Sequence, residues 1–178
     1  MAVQEQPSVD NTFNMDNANT YKQDAIWLLQ QMIAIPSFSK EEDVTATIID
    51  TYLKGKGVHT YRTGNNIYAT NKYFDKNKPT ILLNSHHDTV KPNPGYTKDP
   101  FEPSIEDGKL FGLGSNDAGA SLVSLLATFL YFYDKKDLPY NILFLASAEE
   151  EISGVDGVEL AIAEVVGTPD PVHQLAAS

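Results

Sequence analysis

Two long apolar runs, each closing on side chains that bind cations or protons, constrain this chain more than any other feature. "TILLNSHHDTV" (80–90) passes from aliphatic residues into two histidines and an aspartate, and "NILFLASAEEE" (141–151) ends in three glutamates. A run apolar on both faces suits a central strand covered on each side, because a strand with one wet face alternates instead. Between the runs, Leu122, Leu125, Leu126, Phe129, Leu130 and Tyr133 recur at helical spacing in a segment that starts at Ala118. Two buried strands joined through a helix predict an α/β architecture with parallel pairing. Ligands in such sheets gather at the carboxyl ends of the strands, where both polar clusters fall.

The remaining segments fit the same plan. "YKQDAIWLLQQMIAI" places Ala25, Ile26, Leu29, Met32 and Ile33 at helical spacing, and Pro36 ends the pattern. In "SKEEDVTATIIDTYLKGKG", Ser39 and Glu42 make a capping-box signature, and Gly55 and Gly57 mark the stop. Val44, Ile48, Ile49, Tyr52 and Leu53 form the stripe between them. Gly64-Asn65 predicts one hairpin, and Asp107-Gly108 a second, shorter one followed by a glycine-loosened turn.

Composition narrows the chemistry. There is no cysteine among 178 residues, so disulfides and thiolate metal sites are excluded, and any metal must be held by His, Asp and Glu. A net charge of −11 argues against nucleic-acid partners and against docking on anionic membranes. No apolar run approaches the roughly 20 residues of a membrane span. Residues 1–19 are polar, lack signal-peptide character and read as a disordered leader, which makes the cytoplasm the expected location.

Three clusters carry candidate chemistry. In an extended segment, His86 and Asp88 share a side while His87 faces the other way. A histidine whose second ring nitrogen is held by an acid suits a metal ligand, although alone the triplet reads more readily as a hydrogen-bonded histidine in a polar loop. Asp117, in "GLGSNDAGA", sits where a helix N-cap belongs; its other reading is an aspartate bridging two metals, with the glycines admitting backbone close to the site. These glycines match neither a phosphate-binding loop nor a dinucleotide fingerprint. Glu149, Glu150 and Glu151 follow a buried strand with no spacer, and clustered carboxylates repel unless a cation neutralises them. Together the clusters offer ligands suited to zinc, manganese or cobalt, with a free glutamate as the general base of metal-assisted hydrolysis.

The ordered motifs "SHHDTV", "GLGSNDAG" and "SAEEEISG" resemble the metallopeptidase family of acetylornithine deacetylase, succinyl-diaminopimelate desuccinylase, aminoacylase and glutamate carboxypeptidase, over most of residues 20–160. The loop and glycine details look most like the acetylornithine deacetylase branch, including relatives that use N-succinylornithine. The resemblance implies a zinc-peptidase-like three-layer sandwich with a mixed, largely parallel central sheet. Residues 20–164 would be its N-terminal part and 165–178 an irregular tail, with the lid and dimerisation domain absent. It implies that His86, Asp117 and Glu151 bind metal, Asp117 bridging two Zn2+ ions (Co2+ or Mn2+ being possible instead). Asp88 would orient His86, Glu150 would be the general base, and His87 would have no role. The implied reaction is hydrolysis of an amide beside a free carboxylate, in a small N-acyl amino acid or peptide, as in arginine biosynthesis. The complete protein would be a homodimer.

Departures from the family pattern bear on this. Leu113 and Ala118 stand where family members often have Arg and Lys. A further acidic ligand and a later histidine lack clear counterparts: Thr168 stands where the acid is expected, with Asp170 and His173 nearby. Each metal would therefore lack one ligand, and strand faces normally covered by a longer chain would promote association. Three functions stay open: an amidohydrolase whose activity belongs to the complete protein, a non-catalytic remnant with weak or no metal binding, and a two-metal aminopeptidase or dipeptidase.

Overall fold

A computed structural model describes residues 15–167, with side chains placed for 18–165. Helices α1 (Met15–Ile33) and α2 (Asp43–Gly55) precede a hairpin of β1 (Tyr61–Thr63) and β2 (Asn66–Thr70). β3 (Thr80–His86) leads through a small second hairpin, β4 (Ser104–Glu106) and β5 (Lys109–Phe111), to α3 (Ala120–Phe132), β6 (Asn141–Ser147) and α4 (Val158–Gly167).

The principal sheet has the order β1-β2-β6-β3. β3 and β6 pair in parallel, from Thr80 opposite Asn141 to His86 opposite Ser147, with α3 as the connection that a parallel pair requires. β1–β2 and β2–β6 are antiparallel, so the sheet is mixed. Side chains alternate across it, and the register decides which layer each meets. Ile142, Phe144 and Ala146 join Leu28, Ile49, Leu53, Leu122, Leu126 and Phe129 from α1, α2 and α3 in the main core. Leu143 and Leu145 face the opposite way, against Ala161 of α4 and Tyr68. Helices therefore cover both faces in three layers.

Both predicted hairpins form. Asp107 and Gly108 take φ of +50° and +74°, the pair of left-handed residues that a two-residue turn matched to strand twist demands.

Several local expectations change. β6 is buried at every position, but β3 lies at the sheet edge, with Ile81 44 % and Leu82 42 % exposed. Apolar residues on both faces report what can lie above and below a strand; a central place also needs a neighbour on each side, and among the described residues β3 has only β6. α1 begins at Met15, inside the segment expected to be a leader; Ala18 and Tyr21 line a groove between α1 and α3, where Tyr21 meets Tyr131 edge-on at 6.2 Å. The rest of that expected leader, 1–14, lies outside the described residues. At the other end α4 runs to Gly167, so the expected tail is helical over 165–167. In α2 the inward face runs through Thr45, Ala46, Ile49 and Leu53, and Val44 falls off it into solvent.

Candidate functional site

Parallel pairing sets His86 level with Ser147, so the polar tails of β3 and β6 leave the sheet side by side. Asp88, 0 % exposed, is the fixed point between them. Its Oδ1 lies 3.2 Å from His86 Nδ1 and accepts the Glu150 backbone N–H at 3.1 Å. Its Oδ2 accepts the Ser39 hydroxyl at 2.7 Å and the Glu151 N–H at 3.1 Å. Burial pushes this carboxyl's pKa up, but hydrogen bonds from His86, Ser39 and the two N–H groups outweigh it and hold Asp88 at about 2. Asp88 thus fixes both the imidazole, whose Nδ1 also lies 3.0 Å from its backbone carbonyl, and the turn that carries the glutamates.

With Nδ1 engaged, His86 presents Nε2 outward, 3.4 Å from Asp117 Oδ1 and 3.6 Å from Glu150 Oε2. The Asp88 hydrogen bond raises the imidazole to about 9 against the opposing effect of burial. Asp117 arrives on a wide turn, Ser115–Gly119, whose Asp117–Ala118 peptide is cis. It does not cap α3; the position before that helix is Gly119, and Asp117 faces the imidazole instead. Gly114 lets the turn close in: its φ is +72°, and a Cβ there would come within 2.6 Å of the Thr89 methyl.

After β6, Glu149 takes a left-handed φ of +55° and Glu150–Ile152 make a single 3-10 turn. Glu149 is buried while Glu150 and Glu151 turn toward His86. His86, Asp117 and Glu151 each offer one donor atom, all within 4.8 Å of one another. Burial and the neighbouring Asp117 push the Glu151 carboxyl up, a crowding that a cation would relieve. An imidazole nitrogen and two carboxylates at this spacing fit a divalent ion of the zinc, cobalt or manganese kind. All five residues picked out from the sequence therefore converge, although Glu150 lies about as near the imidazole as Asp117 does. Asp170 and His173 lie outside the described residues.

A second tier beneath the site escaped the sequence. Ser39 and Glu42 form no capping box: Ser39 serves Asp88, and Glu42 itself occupies the N-cap of α2 without a side-chain cap bond. Glu42 Oε1 accepts the Lys40 and Glu149 N–H groups, and Oε2 accepts Asn65 Nδ2. Serine and glutamate three apart signal a local cap, whereas these partners lie 49 and 107 residues away. His87 also belongs here. Burial lowers its pKa, so the ring is neutral; Nε2–H donates to the Asn65 carbonyl at 2.9 Å, and Nδ1 faces the Thr45 hydroxyl at 2.9 Å.

Comparison with known proteins extends these observations. The succinyl-diaminopimelate desuccinylase of Blochmanniella floridana is 30 % identical over 152 residues, covering 80 % of this chain and 39 % of that protein. The enzyme of the same name from Beijerinckia indica is 28 % identical over 145 residues, 75 % and 37 % respectively. The chain thus spans less than two fifths of the length of these curated relatives. Their name is that of a desuccinylase, so the acetylornithine deacetylase branch suggested by the loop details gains no support from them. In fold, the chain is similar to the M20 family metallo-carboxypeptidase Sso-CP2 from Sulfolobus solfataricus, with a TM-score of 0.66, 25 % identity and coverage of 80 % of this chain and 34 % of that one. It is also similar to YXEP of Bacillus subtilis, described as a dinuclear metal binding peptidase from the M20 family, with a TM-score of 0.62, 19 % identity and coverage of 83 % and 40 %. A family model, "Peptidase family M20/M25/M40", matches residues 82–177, the stretch from β3 onward that bears all three motifs. With more than half of its length matched and its motifs gathered at one end of the sheet, the chain belongs to peptidase family M20/M25/M40.

Proposed function

We propose that this chain supplies metal ligands and the general base of an amidohydrolase acting on N-acyl amino acids, the activity belonging to a longer protein. The observation that carries this is the convergence of His86, Asp117 and Glu151 within 4.8 Å, with Glu150 Oε2 3.6 Å from the imidazole. Two divalent cations, zinc first and cobalt or manganese as alternatives, would be held by His86, Asp117 and Glu151 and would supply Lewis-acid polarisation of the amide carbonyl. Asp88 keeps Nδ1 of His86 occupied, so Nε2 is the nitrogen left to donate. Glu150 removes a proton from the attacking water and returns it to the nitrogen of the departing amine, completing cleavage of the C–N bond. Its backbone is held for that work by the Asp88 carboxylate.

Between acyl groups, the desuccinylase relatives favour a succinyl amide over the acetyl group of acetylornithine. The test has two parts. Metal per chain is measured after equilibration with Zn2+ and dialysis, for wild type and for His86→Ala; retention in the wild type and its loss in the variant are expected. The longer protein is then assayed with N-succinyl and N-acetyl amino acids and with a dipeptide. Wild-type zinc no higher than that of His86→Ala refutes the proposal, and cleavage of the dipeptide alone turns it into a peptidase.

A further inference from the structure

We infer that Glu42 is a positioning residue for the acidic turn at 149–151, holding the first N–H of that turn so that Glu150 and Glu151 present their carboxylates to His86. This rests on the proposed role of those carboxylates at a metal site. Glu42 is 0 % exposed in a strongly acidic chain. A buried carboxylate is costly unless its oxygens are well supplied with donors, and here they are. Oε1 takes the N–H of Lys40 at 2.8 Å and of Glu149 at 3.2 Å; Oε2 takes Asn65 Nδ2 at 2.9 Å. These donors come from the approach to α2, the end of β6 and the β1–β2 turn.

Three consecutive N–H groups, those of Glu149, Glu150 and Glu151, are thus received by two buried carboxylates. Glu42 takes the first, and Asp88 takes the second and third. The first is the demanding one, because Glu149 is a non-glycine residue at φ +55°, a conformation that persists only where the surroundings enforce it. From the other side, the Gly154 N–H donates to the Glu149 carbonyl at 2.9 Å. Asn65 extends the tie to the neighbouring strand: its side chain reaches Glu42 and its carbonyl receives His87 Nε2–H. Glu42 thereby braces the tails of β6 and β3 from below, without touching the site.

The test compares Glu42→Leu, which removes every acceptor, with Glu42→Gln, which keeps an oxygen for the Glu149 N–H. Amide hydrogen exchange of Glu149, Glu150 and Glu151 is followed in the metal-free chain against the β6 amides of Leu143–Leu145. In Glu42→Leu the three turn amides are expected to exchange faster by on the order of tenfold, the effect of one hydrogen bond, with the β6 amides unchanged. In Glu42→Gln exchange is expected to return to near wild type. The visible absorption of bound Co2+ should change in the Leu variant and be kept in the Gln variant. Should Glu42→Leu fail to fold, Glu42→Asp withdraws the carboxylate by one methylene and is expected to give the same local release. Turn and β6 amides accelerating together, or neither accelerating, overturns the inference. Because exchange is read without metal, a wild type that binds no Co2+ counts against the proposed function alone.

Discussion

β3 and β6 are written in the same kind of sequence and finish at the same end of the sheet, yet they live in different surroundings. β6 is flanked on both sides and covered on both faces, and all of its residues are buried. β3 is exposed at its start and becomes buried only as it reaches His86. Their tails, however, are equally well held. Asp88 grips the imidazole and two N–H groups, Ser39 grips Asp88, and Glu42 takes the N–H before them. The geometry of the site is therefore set by hydrogen bonds at the strand ends, while the depth of packing along each strand sets stability.

The sharpest way to break this comparison is to alter the β6 tail chemically and leave its packing alone. Glu150→Gln in the longer protein should lower kcat by about 10²- to 10⁴-fold, the usual contribution of a general base, with zinc per protein unchanged. If metal is lost instead, Glu150 is a ligand and the two tails do the same job. Next in size is the packing itself. Phe144 is fully buried on β6 with its ring 5.7 Å from that of Phe129, and Phe144→Ala should destabilise the chain by about 3–5 kcal/mol in urea denaturation. Asp88→Asn sharpens the claim about the tails: it keeps the shape and the backbone carbonyl beside His86 Nδ1 but removes the carboxylate charge that lies 3.2 Å from that nitrogen. Zinc affinity by competition with a chelator should fall about 10- to 100-fold. An unchanged affinity would mean that the Asp88 carboxylate serves the turn and that its backbone carbonyl suffices for the imidazole.

How much of this was legible in the sequence follows from the range of each interaction. Helices α1 to α3, both hairpins and the parallel β3–β6 pair follow from periodicity, from residues suited to positive φ, and from element order, whereas α4 was not read as a helix. The cluster of His86, Asp117 and Glu151 was legible because three motifs in order carry a family likeness, which no one of them does alone. The edge position of β3 was not, since "TILLNS" records faces and not flanks. Nor was the function of Ser39 and Glu42: a cap and a long-range acceptor use the same atoms, and only tertiary contact decides between them.

The smallest expected effect lies on β3, and it bears on why an edge strand can sit beside a well-formed site. Leu82 points to the side of the sheet that α4 covers, but no residue of β3 belongs to the cluster under α4. Losing a side chain already 42 % exposed removes little buried area, so Leu82→Lys should change stability by no more than about 1 kcal/mol. Its consequence is for association. An apolar edge strand with unpaired backbone groups is a template for another strand, and lysine on such an edge blocks pairing while its stem still covers apolar surface. Sedimentation velocity across a concentration series should show less self-association for Leu82→Lys than for wild type, at matching urea midpoints. Equal self-association would place the contact elsewhere. A fall in stability on the scale of Phe144→Ala would mean that β3 is packed as deeply as β6, and the contrast between the two strands would be lost.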